Sequence, residues 1–500
     1  MKSRSIKNMI FGDSSENVED DFGDDYVVKS MGAAGRWQVI VCTIVASSRL
    51  IAMWNMLAIL FLTPPTDFKC VKFKDNVTID AIVSTCYDTC EEYEYYQDVF
   101  KKTLLSDFHL ICDKEWLASF TQTAVMLGLI IGVSIFGWIS DRFGRRNAMI
   151  LSASIDVIFM LGAAFAPSYW TFTILRFFIG VASGGIMSIT AVFTLEIVGP
   201  QYRELAGGLA VLPDGVSELT LAGFAYFTPT WNTYILSFSG ASVVILVILL
   251  FMPETPRWLV TSGKADRAVE LMTKAAKFNN RSVTGIRDTV TKSLHELNIK
   301  ENESQNLNYT DLFKTKKLTI ITLSSFTIWF VTGMCYFGLN QYTSTLGSNI
   351  FIVVAVLGCI QIPLSPLTSL ITKLFGRRAS AMGSYIIASL SLFCLIFIPT
   401  GTWVSSVFGG IGVASASLNF CVLYIYVTEL YPTPMRNMGF SISAAGSKLG
   451  ATIAPFIANL KPRWTASLVF AILPMIAAVI CLLLPETKGK KLRDTVDQEL

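Results

Sequence analysis

The chain has 500 residues, 52% hydrophobic and only 15% charged, with a formal net charge of +3. A soluble domain carries about 25% charged residues, so this chain lacks the surface charge of a dissolved protein. The near-neutral balance implies no polyanion partner, and no nucleic-acid-binding motif occurs.

In chain order, residues 1–35 read as a polar tail with an acidic run over 16–25, and 1–30 are expected to be disordered. The start is not expected to be a cleaved signal peptide: the first apolar block is too long, and no small-residue cleavage site follows it. A bilayer-spanning helix needs about 20 apolar residues. Blocks of that kind fall near 38–62, 117–139, 147–166, 170–193, 205–228 and 232–251, then near 318–338, 350–372, 380–398, 402–424, 437–459 and 465–484. The expected fold class is an all-α membrane protein with twelve transmembrane helices. The fifth and eleventh blocks are the weakest, because Asp214, Glu218 and Lys448 interrupt them. Segment 252–317 is too polar to span, and 264–272 within it reads as an amphipathic helix on the cytoplasmic face. The expected division is a tail to 35, a bundle over 36–251 with an outer loop 63–116, a linker 252–317, a second bundle 318–485 and a tail 486–500.

Lys and Arg collect in cytoplasmic loops. Here Arg142, Arg145 and Arg146 follow the second block, Lys373, Arg377 and Arg378 the eighth, and many basic residues fill the linker. Both termini are therefore expected in the cytoplasm and the 63–116 loop outside. Lys461 and Arg463, on the outer side, are the exception. Cysteine usage agrees: Cys70, Cys86, Cys90 and Cys112 share the outer loop, while the other six lie singly in apolar blocks. Four cysteines in an oxidising compartment read as two disulfides of undetermined pairing. Asn76 begins a glycosylation sequon in the same loop.

The chain also repeats itself. Asp141-Arg142-Phe143-Gly144-Arg145-Arg146 returns as Lys373-Leu374-Phe375-Gly376-Arg377-Arg378, the pair Glu196 and Arg203 as Glu429 and Arg436, and Pro253-Glu254-Thr255 as Pro485-Glu486-Thr487. The offsets are 232, 233 and 232 residues. One spacing across three polar motifs indicates a duplicated six-helix unit. Two parallel six-helix repeats are the plan of the major facilitator fold, two pseudo-symmetric bundles with the site between them. Asp141, Arg142, Arg145, Arg146, Glu196, Arg203, Arg377, Arg378, Glu429 and Arg436 are the candidate cytoplasmic gate, forming ion pairs between bundles that break on opening; the plainer reading is positive-inside anchoring. Arg176, Gly180 and Gly184 line one helical face, the glycines for close helix contact and Arg176 either functional or snorkelling to the outer interface.

Arg49, Asp156, Asp214, Glu218 and Lys448 lie well inside apolar blocks. Each costs about 2.5–3.5 kcal/mol at a helix centre, so they face a watery cavity or each other. Asp214 and Glu218 share a helical face. The repeat offset carries Asp214 to Ser447, next to Lys448. Lys448 is the candidate for a substrate carboxylate, and Asp214 or Glu218 for an ammonium. The competing reading is an Asp214–Lys448 latch without substrate contact. Arg49 is a second anion candidate or a partner for either acid. Asp156 has no account beyond proton coupling or contact with a neighbouring helix.

The motifs resemble the organic cation, anion and carnitine transporter family, solute carrier family 22, over roughly residues 30–490. The resemblance rests on Cys112-Asp113-Lys114-Glu115-Trp116, on 137–146, on Pro253-Glu254-Thr255-Pro256-Arg257-Trp258-Leu259, and on Glu429-Leu430-Tyr431-Pro432-Thr433 with Arg436. The 141–146 and 253–258 strings occur in sugar porters too, and the cysteine-bearing loop decides between them. The resemblance implies transport of small organic ions across the plasma membrane, with the bilayer as surroundings and a coupling ion or counter-substrate as a further partner. By resemblance, cation carriers place an acid where Lys448 stands and often a Glu where Gln361 stands. Both departures favour an anion or zwitterion; a cation carrier, a sugar-porter-like carrier and a non-transporting receptor are the alternatives. The resemblance also places Trp329, Tyr336 and Asn340 on a cavity-lining seventh helix, where aromatic rings hold ammonium groups or simply pack. Asn55 and Met56 are similar candidates on the first helix. No enzyme, cofactor or metal is expected: the only histidines, His109 and His295, lie in loops without metal spacing, and no nucleotide-binding string appears.

Overall fold

Twelve long helices dominate the computed structural model, which describes residues 25–73, 82–96, 99–303, 308–347, 349–432 and 435–489. They are α1 (Arg36–Leu57, continued by Ile59–Leu62), α2 (Glu115–Phe143), α3 (Arg145–Ala164), α4 (Tyr169–Ile197), α5 (Leu212–Phe227) and α6 (Trp231–Leu249). The second set is α7 (Lys316–Ser344), α8 (Ile350–Phe375), α9 (Arg377–Leu395), α10 (Trp403–Leu430), α11 (Arg436–Ala458) and α12 (Arg463–Ile480). Each expected block falls on one of them. The helices overrun the blocks where polar turns stay helical, as in α4 and α10, whose last turns carry Glu196 and Glu429.

Ten of these helices are long and apolar enough to cross a membrane. The exceptions among the twelve are α5 and α11, the two weakest blocks of the sequence. α5 is also short, 16 residues, because the chain breaks at Val211 between it and the helix Arg203–Ala210. Pro213 explains the break: it has no N–H for the carbonyl of Leu209, and its ring crowds that oxygen. The outward faces stay apolar, with Ile158, Val244, Leu390 and Val479 each more than half exposed, as a lipid solvent requires.

α1–α6 and α7–α12 form two bundles. They meet through α5 against α8 and α2 against α11, two contacts that exchange under the repeat. The first is so close that glycine is needed on both sides. A Cβ on Gly215 would lie 2.8 Å from the carbonyl oxygen of Gly358, and one on Gly358 2.6 Å from that of Gly215. At one end, α2 and α11 are joined by bonds from Ser119 Oγ to Pro455 O (3.2 Å), Asn459 Nδ2 to Ser119 Oγ (2.8 Å) and Thr123 Oγ1 to Thr452 O (2.8 Å). Lys461 pairs with Glu115 at 2.8 Å beside them, and Phe61 stacks on Phe351 nearby, ring centroids 5.7 Å apart.

That end carries the long loop. Its strands β1 (Phe68–Phe73) and β2 (Cys90–Tyr95) pair antiparallel, an element the apolar pattern did not suggest. Two disulfides staple it, Cys70–Cys90 and Cys86–Cys112, and the other six cysteines are free. Asn76 lies outside the described residues. The opposite, basic face carries a second small core. The amphipathic linker helix, Ala265–Phe278, buries Ala268, Met272, Ala275 and Ala276. Against it packs a helix Tyr26–Met31, through Val27 and Met31. Disorder was expected through residue 30, and over 25–30 this is corrected. Two apolar side chains four apart and an Asp25 N-cap make a short helix that docks on the linker and on Arg257.

Candidate functional site

The charges that interrupt α5 and α11 come together between the halves. Arg49 of α1 binds Asp214 through both edges of its fork, Nε to Oδ1 at 2.5 Å and Nη2 to Oδ2 at 2.9 Å. Both side chains are largely buried. A bidentate guanidinium–carboxylate pair answers most of the desolvation each charge suffers in low dielectric. Lys448 is close enough to feel both Arg49 and Asp214 electrostatically. The Asp214–Lys448 latch is not formed, because Asp214 has its oxygens on Arg49. The Lys448 ammonium, on a half-buried residue, has no hydrogen bond or ion pair among the described residues.

One turn above Asp214, Glu218 is fully buried. Its Oε2 accepts from Gln361 Nε2 of α8 at 2.7 Å, and Gln361 Oε1 accepts from the Tyr336 hydroxyl of α7 at 3.1 Å. The relay Tyr336–Gln361–Glu218 thus crosses from one half to the other. Glu218 Oε1 has no partner. Trp329 is enclosed edge-to-face by Phe420, Tyr424 and Phe440, at centroid distances of 5.6, 5.1 and 5.9 Å. Packing is therefore its visible role. Asn340 is buried, its Nδ2 turned back to Tyr336 O at 3.0 Å. Tyr424, 39% exposed and edge-on to Trp329, was not expected. Its spacing of four from Phe420 on α10 was a usable signal.

Two expected positions face elsewhere. Asn55 of α1 turns into the first half and donates to Asp156 at 2.8 Å. Met56 offers its backbone oxygen to Gln122 at 2.7 Å. Arg176 is 2% exposed, so it does not snorkel; its Nη2 donates to Gln122 Oε1 at 3.3 Å. Gly180 and Gly184 do bring α4 against the α2 backbone at Val125 and Leu129.

The gate candidates form two copies of one network, each inside its own half. Glu254 accepts from the backbone N–H groups of Arg145 (2.9 Å) and Arg146 (3.1 Å) at the start of α3. Glu486 accepts from those of Arg377 (2.9 Å) and Arg378 (3.1 Å) at the start of α9. These are the unsatisfied donors of a helix N-terminus, which attract negative charge. The carboxylates fit there because Gly144 and Gly376 take φ values of 102° and 90°, which only glycine adopts readily. Arg145 forks onto Glu196 and reaches Asp141 at 3.0 Å, and Arg377 reaches Glu429 at 3.1 Å. Thr255 closes the first network on Glu196 at 2.5 Å, and Thr487 the second on Glu429 at 2.6 Å. Burial pushes the Glu254 carboxyl up. At Glu486 burial acts the same way, but four backbone donors outweigh it and hold that carboxyl down. Arg142 lies over the Trp138 ring at 5.5 Å, Arg203 approaches Asp25 at 3.9 Å, and Arg436 opens α11. The expected pairs between halves are not formed by Arg142, Arg145 or Arg146 among the described residues. Arg145 and Arg377 meet their acids, Glu196 and Glu429, on a neighbouring helix of their own bundle.

Over residues 41–497 the chain matches the sugar (and other) transporter family. It is 29% identical to human solute carrier family 22 member 13 over 443 residues, covering 86% of this chain and 79% of that one. It is 31% identical to mouse solute carrier family 22 member 3 over 399 residues, 79% and 71% of the two chains. It is 30% identical to human organic cation/carnitine transporter 2 over 415 residues, 82% and 73%. The inward open conformation of the xylose transporter XylE from E. coli shares the fold, with TM-score 0.69 and 16% identity over 91% of this chain and 98% of that one.

Proposed function

Because the chain belongs to the sugar (and other) transporter family, and by its relatives to solute carrier family 22, we propose that this membrane transporter carries a small organic anion or zwitterion, with Lys448 receiving its carboxylate. The carrying observation is that Lys448 alone among the central charged side chains lacks any partner among the described residues, while Arg49 and Asp214 satisfy each other. A half-buried ammonium without an anion is unfavourable, so a ligand carboxylate that supplies one binds with a large differential. The free Oε1 of Glu218 and the rings of Tyr336, Phe420 and Tyr424 offer an ammonium group a second anchor. A relative named for carnitine, a carboxylate with a quaternary ammonium, fits that pair of anchors. The unpartnered Glu218 oxygen also favours a second reading, an organic cation held by Glu218 with Lys448 as a bystander.

The proposal extends to orientation. The basic face and both termini lie in the cytoplasm of a cell whose plasma membrane holds the chain, and the disulfide-bearing loop lies outside. The bonds at Ser119, Thr123, Asn459 and Lys461 close the outer end, which corresponds to an inward-facing state of an alternating-access cycle. The two arginine networks keep each half rigid while the halves move against each other.

The test is uptake of a labelled carboxylate anion, zwitterion and cation by cells expressing the parent and Lys448→Asp at equal surface level. Anion or zwitterion uptake in the parent that collapses at least tenfold in the variant supports the reading. Uptake of the cation alone, unchanged by the substitution, sinks it.

A further inference from the structure

The first half holds a carboxyl group that the central site does not use. Asp156 sits midway along α3 with no exposed surface. One oxygen accepts from Asn55 Nδ2 of α1 and the other from Ser183 Oγ of α4, both at 2.8 Å. Neither donor is charged, and Asp156 forms no ion pair among the described residues. Other elements supply little more. From α4, Arg176 is felt electrostatically, but its Nη2 is engaged by Gln122 of α2 and its Nε has no partner. From α6, Tyr234 lies near Arg176 with its hydroxyl unpartnered. On α1 the nearest charge is Arg49, already saturated by Asp214.

The informative atom is Asn55 Oδ1. It is buried and has no hydrogen-bond donor, although the Nδ2 of the same amide is on Asp156. An ionised carboxylate accepts only, so it takes the Asn55 Nδ2 bond and offers the Asn55 oxygen no donor. A carboxylic acid and a primary amide present matching edges, one donor and one acceptor each. A proton on Asp156 therefore gives the orphan oxygen its donor, and it removes an unpaired charge from a site without water access. A metal cation fits worse, because the Arg176 charge shares the region and both Asp156 oxygens already accept bonds.

We propose that Asp156 is a proton-binding site inside the first half, separate from the central site, with the bound proton shared with Asn55. Asn55 lies six residues after Arg49 on α1, about 9 Å along the helix axis. Proton occupancy at Asp156 and the Arg49–Asp214 pair are thus held by one helix, which joins the two sites mechanically.

Infrared spectroscopy of the purified full chain in lipid nanodiscs reads the proton directly, without any substrate. The C=O stretch of a protonated carboxyl is absent from an ionised one. At neutral pH the parent should show such a band that Asp156→Asn removes, leaving any Glu218 contribution in place. Asn55→Ala should retain the band and move it to higher wavenumber, because the carbonyl loses one donor. Where Asp156→Asn yields no folded protein, the Asn55→Ala displacement decides alone. Superimposable spectra of parent and Asp156→Asn, or an unmoved band in Asn55→Ala, overturn the proposal.

Discussion

Gly215 and Gly358 meet backbone to backbone where the two halves cross, each lying where the other's Cβ would have to go. Asp214 and Glu218 flank the crossing on α5, and Gln361 follows one turn later on α8. The separation of the halves at the charged site is therefore set by two hydrogen atoms.

Gly358→Ala should lower thermal stability by about 1–3 kcal/mol, the usual cost of overpacking, and cut uptake several-fold. Gly223→Ala on α5 is the control, because nothing lies within 4 Å of its Cβ. It should be neutral or slightly stabilising, since alanine is the better helix former. Melting curves in detergent check both, and equal effects at the two sites would contradict the crossing.

Arg49→Met or Asp214→Leu alone should destabilise by about 3–5 kcal/mol, because each leaves a buried charge unpaired. The double variant Arg49→Met with Asp214→Leu should be more stable than either single variant. A double variant whose loss equals the sum of the singles would show that the two side chains do not act as a pair.

Arg145→Lys should cost more stability than Arg377→Lys. Arg145 forks onto Glu196, reaches Asp141 and donates to the Ser140 carbonyl at 2.9 Å, whereas Arg377 makes one bond to Glu429 with its side chain. Lysine keeps the charge and loses the fork, so the difference should be about 1–2 kcal/mol in melting experiments. Equal losses would mean the two networks are worth the same.

Val27→Asp should release the helix Tyr26–Met31 from the linker core, where Val27 is fully buried. Limited trypsin digestion should then cut at Lys29 at least several-fold faster than in the parent, because a docked helix resists proteolysis until it opens locally. An unchanged rate would place the helix off the core in solution.

Depth along each helix was legible in the sequence, and rotation about it was not. Asp214, Glu218 and Lys448 interrupt apolar blocks at one level, so their convergence between the halves followed from spacing. Which acid Arg49 would choose did not follow, since that depends on how α1 and α5 face each other. The snorkelling alternative for Arg176 failed for the same reason: a position near a block end reads as interfacial unless the helix turns it inward to Gln122. Asn55, a candidate for the central site, turns instead into the first half. The repeat announced Glu254 and Glu486 as equivalent, but their task became visible only when each met the first N–H groups of α3 and α9. The helix Tyr26–Met31 was hidden because a single turn is stable only against a partner.

The polar bonds between α2 and α11 are few. Ser119, Thr123 and Asn459 contribute three hydrogen bonds and Lys461 an exposed ion pair. At about 1 kcal/mol per hydrogen bond and less for the ion pair, these polar bonds contribute only a few kcal/mol. A ligand that binds one state about 5.5 kcal/mol more tightly than the other reverses a 99:1 population. Lightly fastened halves with stiff interiors thus form a balance that one well-placed ligand is heavy enough to tip.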